Sequence, residues 1–208
     1  EYSLSDDYSA KIKVIVNPVE KTLQFVDNGL GMTADEVEEY INQIAFSGAT
    51  DFLSKYKDKT NEDQIIGHFG LGFYSAFMVA NEVHIDTLSY QSDATPVHWE
   101  CDGGTEYQME EGTKDSVGTT ITLFLNEDCL EFANEYRVRE ILRKYCSFMP
   151  TEIYLEKADA PQEYETILPE EKKESDIVVE TIKEEDTEKL KINKRPVALN
   201  DTHPLWTK

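Results

Sequence analysis

TLQFVDNGLGMTADEVEEYI, residues 22–41, is the stretch whose reading decides the fold of this chain. Thr22 to Val26 alternates as a strand does. Thr33 opens a capping box, with the Glu36 carboxylate three residues on, and Val37, Ile41 and Ile44 follow at helical spacing. Between strand and helix lies Asp27-Asn-Gly-Leu-Gly-Met32. An Asn-Gly pair by itself supports a hairpin turn, but a helix start follows here and not a second alternating strand. Gly29 and Gly31 let backbone approach a flat ligand closely. Asp27, at the end of a buried strand, is a carboxylate in a dry place and needs a donor partner. An exocyclic adenine amine satisfies it, whereas a guanine carbonyl would face the carboxylate lone pairs.

Working outward, Lys11 to Asn17 alternates at Ile12, Val14 and Val16, and Pro18 to Lys21 reads as a turn, so a hairpin precedes the loop. Downstream, Gly67-His-Phe-Gly-Leu-Gly-Phe73 runs into a predicted helix over Phe73 to Val79. Three glycines free the backbone to aim N–H groups at one point, and a helix N-terminus adds positive dipole, which suits phosphate. The segment lacks a Walker lysine, and its GxxGxG spacing without a parallel crossover is not a dinucleotide fingerprint. Mobility over a nucleotide would make it a lid. Strands are expected at Glu82 to Ser89, Pro96 to Cys101, Glu106 to Met109 and Thr119 to Leu125. Gly118-Thr119-Thr120 opens the last of these, and Thr119 would put a hydroxyl near the adenine edge, directly or through a water. A helix over Glu135 to Phe148, with Val138, Ile141, Leu142 and Tyr145 on one face, and a strand at Glu152 to Glu156 complete the pattern. The expected class is α+β: a two-layer sandwich of a mixed, mostly antiparallel sheet with helices on one face.

After Lys157 the composition turns acidic and lysine-rich, which reads as a solvated linker with one weak strand at most. The expected organisation is therefore a domain over 1–157, a charged linker over 158–195, and the start of a further domain over 196–208. Across 208 residues, 42 acidic against 20 basic side chains give a formal charge of −22. That charge opposes nucleic acid as a partner. Cys101, Cys129 and Cys146 have no zinc spacing and read as reduced thiols in a cytosolic protein. The longest apolar stretch, Phe69 to Ala80, is too short to cross a bilayer, so no membrane partner is expected. His84 and His98 sit in strand patterns without a second ligand spaced to match and read as packed or surface histidines. A start at Glu1, without an initiating methionine and just before a strand, is what a processed product or a chain cut from a longer one would show, and the cut chain is the expectation.

The ordered set Asp27-x-Gly29-x-Gly31, Gly67-x-x-Gly70-x-Gly72 and Gly118-Thr119 resembles the nucleotide fold shared by gyrase-type topoisomerases, mismatch-repair ATPases, histidine kinases and ninety-kilodalton heat-shock chaperones. Ile44-Ala-Phe-Ser-Gly-Ala49, the glycine segment through Phe77, Tyr136 to Tyr145 and the closing Asn200 to Lys208 resemble the chaperones, bacterial HtpG type. The resemblance implies a Bergerat-type ATP-binding fold lacking its first helices. It assigns Asp27 to the adenine amine, Gly31 and Met32 to the adenine face, and Thr119 to a water-bridged edge. Ser47 and Gly48 would border the nucleotide, and Gly70, Leu71, Gly72 and Phe73 would contact the phosphates. Met32 also reads as ordinary core filler. Phe46 stands where many relatives carry lysine, and His68 where glutamine is usual, departures that bear on charge stabilisation of the nucleotide.

In that family an ExxxNxxDA helix precedes these strands, its Glu activating water and its Asn holding magnesium. No such pattern occurs in these 208 residues. The resemblance thus implies ATP or ADP as ligand, Mg2+ in the intact protein, weak binding and negligible hydrolysis from this chain, client proteins as partners and a homodimer in the intact protein. The competing classes are a DNA-handling ATPase of the same superfamily and an acidic protein-interaction module.

Overall fold

A computed structural model of the chain describes residues 8–42, 72–104, 106–184 and 187–203. The chain divides into two compact units, Glu1–Ala158 with Leu199–Lys208, and Asp159–Ala198. In the first, β1 (Lys11–Asn17), β2 (Thr22–Asp27), β3 (Ala80–Leu88), β4 (Val97–Cys101), β5 (Tyr107–Glu111), β6 (Gly118–Leu125) and β7 (Glu152–Lys157) form one sheet. Its order is β5-β4-β3-β6-β2-β1-β7, antiparallel at every seam except β1 with β7. The class is α+β, as expected.

Because successive residues of a strand point to opposite faces, register alone assigns every side chain of this sheet to a layer. One face carries Val14 and Val16, Leu23, Leu123, Val83 and Ile85, and Val97 and Trp99, all buried. Cross-strand pairing lines these up: Val14 opposite Phe25, Phe25 opposite Ile121, Ile121 opposite Ile85, Ile85 opposite Trp99. Helix α1 (Ala34–Tyr40) contributes Val37 to this core and α2 (Glu135–Cys146) contributes Val138. The α1 capping box forms as the sequence reads: Thr33 Oγ1 accepts from the Glu36 N–H at 3.3 Å, and Glu36 Oε2 accepts from the Thr33 N–H at 2.8 Å.

Three local expectations differ. Phe73–Met78 is a 3-10 helix and not an α-helix, tightened because Gly72 O accepts from both the backbone and the hydroxyl of Ser75. On α2 the buried stripe runs through Val138, Leu142 and Cys146 to Met149, and Tyr145 is 70 % exposed. A stripe stepping by four swings away from a residue seven on, and Lys144 covers the Tyr145 ring. The acidic region, read as holding one weak strand at most, forms a three-stranded antiparallel sheet instead. Its strands β8 (Tyr164–Ile167), β9 (Val178–Glu184) and β10 (Thr187–Asn193) lie in the order β8-β10-β9. On β10, Lys189 and Lys191 alternate with Leu190 and Ile192, and the latter two are buried together with Ile167.

Residues 199–203 lie in the larger unit. The Leu199 N–H donates to Ile153 O at 2.8 Å, and Asn200 Nδ2 donates to Met149 O and Thr151 O. Among the described residues no helix is long and apolar enough to cross a membrane.

Candidate functional site

The buried face of the large sheet is apolar rung by rung until its last rung, where the pairs Asp27–Thr119 and Thr119–Thr87 replace hydrocarbon with a carboxylate and two hydroxyls. Thr87 is fully buried and Thr119 nearly so. Their hydroxyl oxygens are 3.0 Å apart, and Thr87 also donates to Gly118 O at 3.2 Å. The next rung inward is Phe25, Ile121 and Ile85. Hydrogen-bonding groups therefore stand at one end of an otherwise apolar face.

Two glycines make the rung possible. Gly118 has φ +132°, and a Cβ on it would stand 2.2 Å from Asp27 O. Any side chain would force β2 and β6 apart where they carry Asp27 and Thr119. Gly31 has φ +65°, and a Cβ there would lie 1.9 Å from Leu88 O. The loop is fastened to the end of β3 by the Tyr90 N–H donating to Leu30 O at 2.8 Å and the Met32 N–H donating to Thr87 Oγ1 at 2.9 Å. Met32 packs on the core beside it.

Burial pushes the Asp27 carboxyl above its ordinary range, against N–H donation from Gly29, N–H donation from Thr119 and the positive charge of Lys114. The Gly29 bond is 2.8 Å long. Among the described residues no lysine or arginine forms an ion pair with Asp27. The group is thus a half-buried acceptor held by two backbone donors, able to take one more from a ligand.

The structure therefore brings together four residues singled out from sequence: Asp27, Gly31, Met32 and Thr119. Gly72 and Phe73 lie elsewhere among the described contacts. Gly72 caps the 3-10 helix, and the Phe73 ring stands edge-on to Trp99 at 5.7 Å. Ser47, Gly48, Gly70 and Leu71 fall outside the described residues. Thr87 was missed, although a signal existed: in the inward series Val83, Ile85, Thr87 it is the one polar side chain.

Comparison with known proteins points to one family. The family described as histidine kinase-, DNA gyrase B-, and HSP90-like ATPase matches residues 5–128. The chain is 46 % identical over 187 residues to the chaperone protein HtpG of Bacteroides thetaiotaomicron, covering 90 % of this chain and 24 % of that protein. It is 42 % identical over 198 residues to HtpG of Porphyromonas gingivalis, covering 95 % and 25 %. To HtpG of Aliivibrio fischeri it is 42 % identical over 136 residues, covering 64 % and 22 %. The chain spans about a quarter of the length of these relatives.

Proposed function

The chain belongs to the histidine kinase-, DNA gyrase B-, and HSP90-like ATPases, as an ATP-binding domain of the HtpG type, and we propose that Asp27, Thr119 and Thr87 form its adenine-recognition rung. One observation carries the reading: a carboxyl held by backbone donors, without an ion-pair partner among the described residues, at the edge of an otherwise apolar face. Asp27 accepts from the adenine amine and Thr119 serves the neighbouring edge directly or through water. Thr87 fixes the Thr119 hydroxyl and the Met32 N–H. Gly31 and Met32 supply the adenine face, Ser47 and Gly48 border the nucleotide, and Gly70, Leu71, Gly72 and Phe73 contact the phosphates through their backbone as a lid.

In the longer protein we place this domain in a cytoplasmic, homodimeric, ATP-driven chaperone acting on client proteins, with the nucleotide carrying Mg2+. The 208 residues alone contain no ExxxNxxDA pattern to hold that ion or activate water, so they are expected to bind nucleotide weakly and hydrolyse it negligibly. The assignment of 1–157 to nucleotide binding, 158–195 to a connecting segment and 196–208 to the run into a following domain belongs to the same reading. A formal charge of −22 disfavours a DNA-handling role.

Calorimetric titration with ADP and GDP tests it, on this chain and on a version joined to an ExxxNxxDA helix. ADP should bind in preference to GDP, and Asp27→Asn should weaken ADP by at least about tenfold, the worth of a hydrogen bond to a charged group. The same variant should not lose stability at pH 7. A raised carboxyl pKa means ionised Asp27 costs stability above its folded pKa, a cost absent below the ordinary value. A folded Asp27→Asn variant binding ADP unchanged would refute the assignment.

A further inference from the structure

The outward face of the same sheet carries a second constellation. Along β3 the outward residues are Glu82, His84 and Asp86, and along β4 they are His98 and Glu100. Register puts His84 opposite Glu100 and Asp86 opposite His98. In sequence the two histidines are unrelated; across the seam their rings are 5.2 Å apart, at right angles.

Glu100 Oε2 stands 3.4 Å from His84 Nε2 and 3.4 Å from His98 Nε2, and one ligand atom from each of the three lies within 4.8 Å of the others. A tetrahedral zinc-class ion with bonds of about 2.0–2.1 Å to nitrogen and oxygen requires ligand atoms about 3.3 Å apart. A carboxylate that orients one of the imidazoles is also in place. His98 Nδ1 lies 2.7 Å from Asp86 Oδ1, so an N–H donated there leaves the Nε2 lone pair aimed at Glu100, the carboxylate–histidine arrangement that orients metal-binding imidazoles. The Phe124 ring, 4.7 Å from that of His84, limits how His84 can turn. Glu82 Oε1, 2.5 Å from His84 Nε2, is hydrogen-bonded to that nitrogen and would give way to the ion.

Among the described residues none of Glu82, Asp86 and Glu100 pairs with a lysine or arginine, so three carboxylates meet two imidazoles with no fixed cation between them. A cavity of about 310 Å³ bordered by Glu82, Glu100, Cys101 and Tyr107 adjoins the carboxylate side of the cluster. The three proposed ligands are half-buried, deep enough to restrict their rotamers.

We propose that His84, His98 and Glu100 form a binding site for a zinc-class divalent cation, with Asp86 as a positioning residue, on the sheet face opposite the nucleotide rung. Such an ion would tie β3 to β4 and neutralise the carboxylates. Cys101 is not among the converging ligand atoms, and by register it belongs to the inward series of β4 with Val97 and Trp99.

The test is titration of the metal-free 208-residue chain with ZnCl2 by calorimetry, with imidazole NMR signals followed in parallel. One equivalent should bind, the ring resonances of His84 and His98 should shift together, and the thermal midpoint should rise with free Zn2+. His84→Gln and His98→Gln should each weaken binding about 100-fold or more. Asp86→Asn should weaken it about 10–100-fold, as outer-shell partners do, without removing the His84 shift at saturation. The wild-type NMR readout needs no variant and stands even if a substitution disturbs folding. Binding that leaves the two ring signals unmoved, or survives either histidine substitution at full strength, overturns the proposal.

Discussion

The two sheets of this chain are held together differently. The larger buries a continuous apolar face, from Val14 and Val16 across to Val97 and Trp99, and sets its one polar rung at the edge. The smaller buries Ile167, Leu190 and Ile192 with little else, and closes with charge: Arg195 donates through Nε and Nη2 to both oxygens of Asp176 at 2.9 and 2.7 Å, and through Nη2 to Glu171 O. The difference teaches where each can tolerate change. Apolar burial is distributed and degrades by increments, whereas a core of three side chains has no reserve.

Gly118→Ala should produce the largest effect. It forces a Cβ against Asp27 O at a backbone angle that alanine resists, so the larger unit should lose about 3–5 kcal/mol, read by urea denaturation, while amide exchange in 159–198 stays as it was. Next, the same kind of truncation can be placed in each sheet. Ile85→Ala and Ile192→Ala both delete a fully buried side chain, worth about 2–5 kcal/mol. The first should lower the midpoint of a unit that still folds. The second should unfold the smaller sheet, seen as loss of exchange protection confined to that unit. Equal, local effects from both would erase the contrast drawn above.

A smaller effect is expected at the ion pair. The Arg195 fork holds the Asp176 carboxyl well below its ordinary range, helped by the Lys173 N–H. A depressed carboxyl pKa contributes stability that is present above the ordinary value and lost as pH falls through the folded one. Arg195→Lys cannot reproduce the fork, so exchange in the smaller unit should quicken at pH 7 and its acid unfolding should begin at a higher pH. Smallest of all is Lys21→Ala, which removes an exposed pair with Glu127 and should cost less than about 1 kcal/mol.

Much of the larger unit was readable before any coordinates, because its signals are local. The alternation of Ile12, Val14 and Val16, the capping box at Thr33 and Glu36, and the glycines at 29 and 31 each act within a few residues. Asp27 and Thr119 were likewise nameable from loop chemistry and order along the chain. What failed to show was which distant residues pair. Thr87 meets Thr119 across 32 residues, β7 joins β1 in parallel from the far end of the unit, and β8 and β10 find each other inside a stretch whose composition looked too charged to fold.

The sequence by itself determined most elements of the larger unit and the family, since a strand, a cap or a strained glycine is specified by neighbours a few bonds away. Only the tertiary structure decided which polar residues share a rung and that His84, His98 and Glu100 converge on the opposite face. Side chains alternate between faces with a period of two, so a single step of register between distant strands determines which of them can meet.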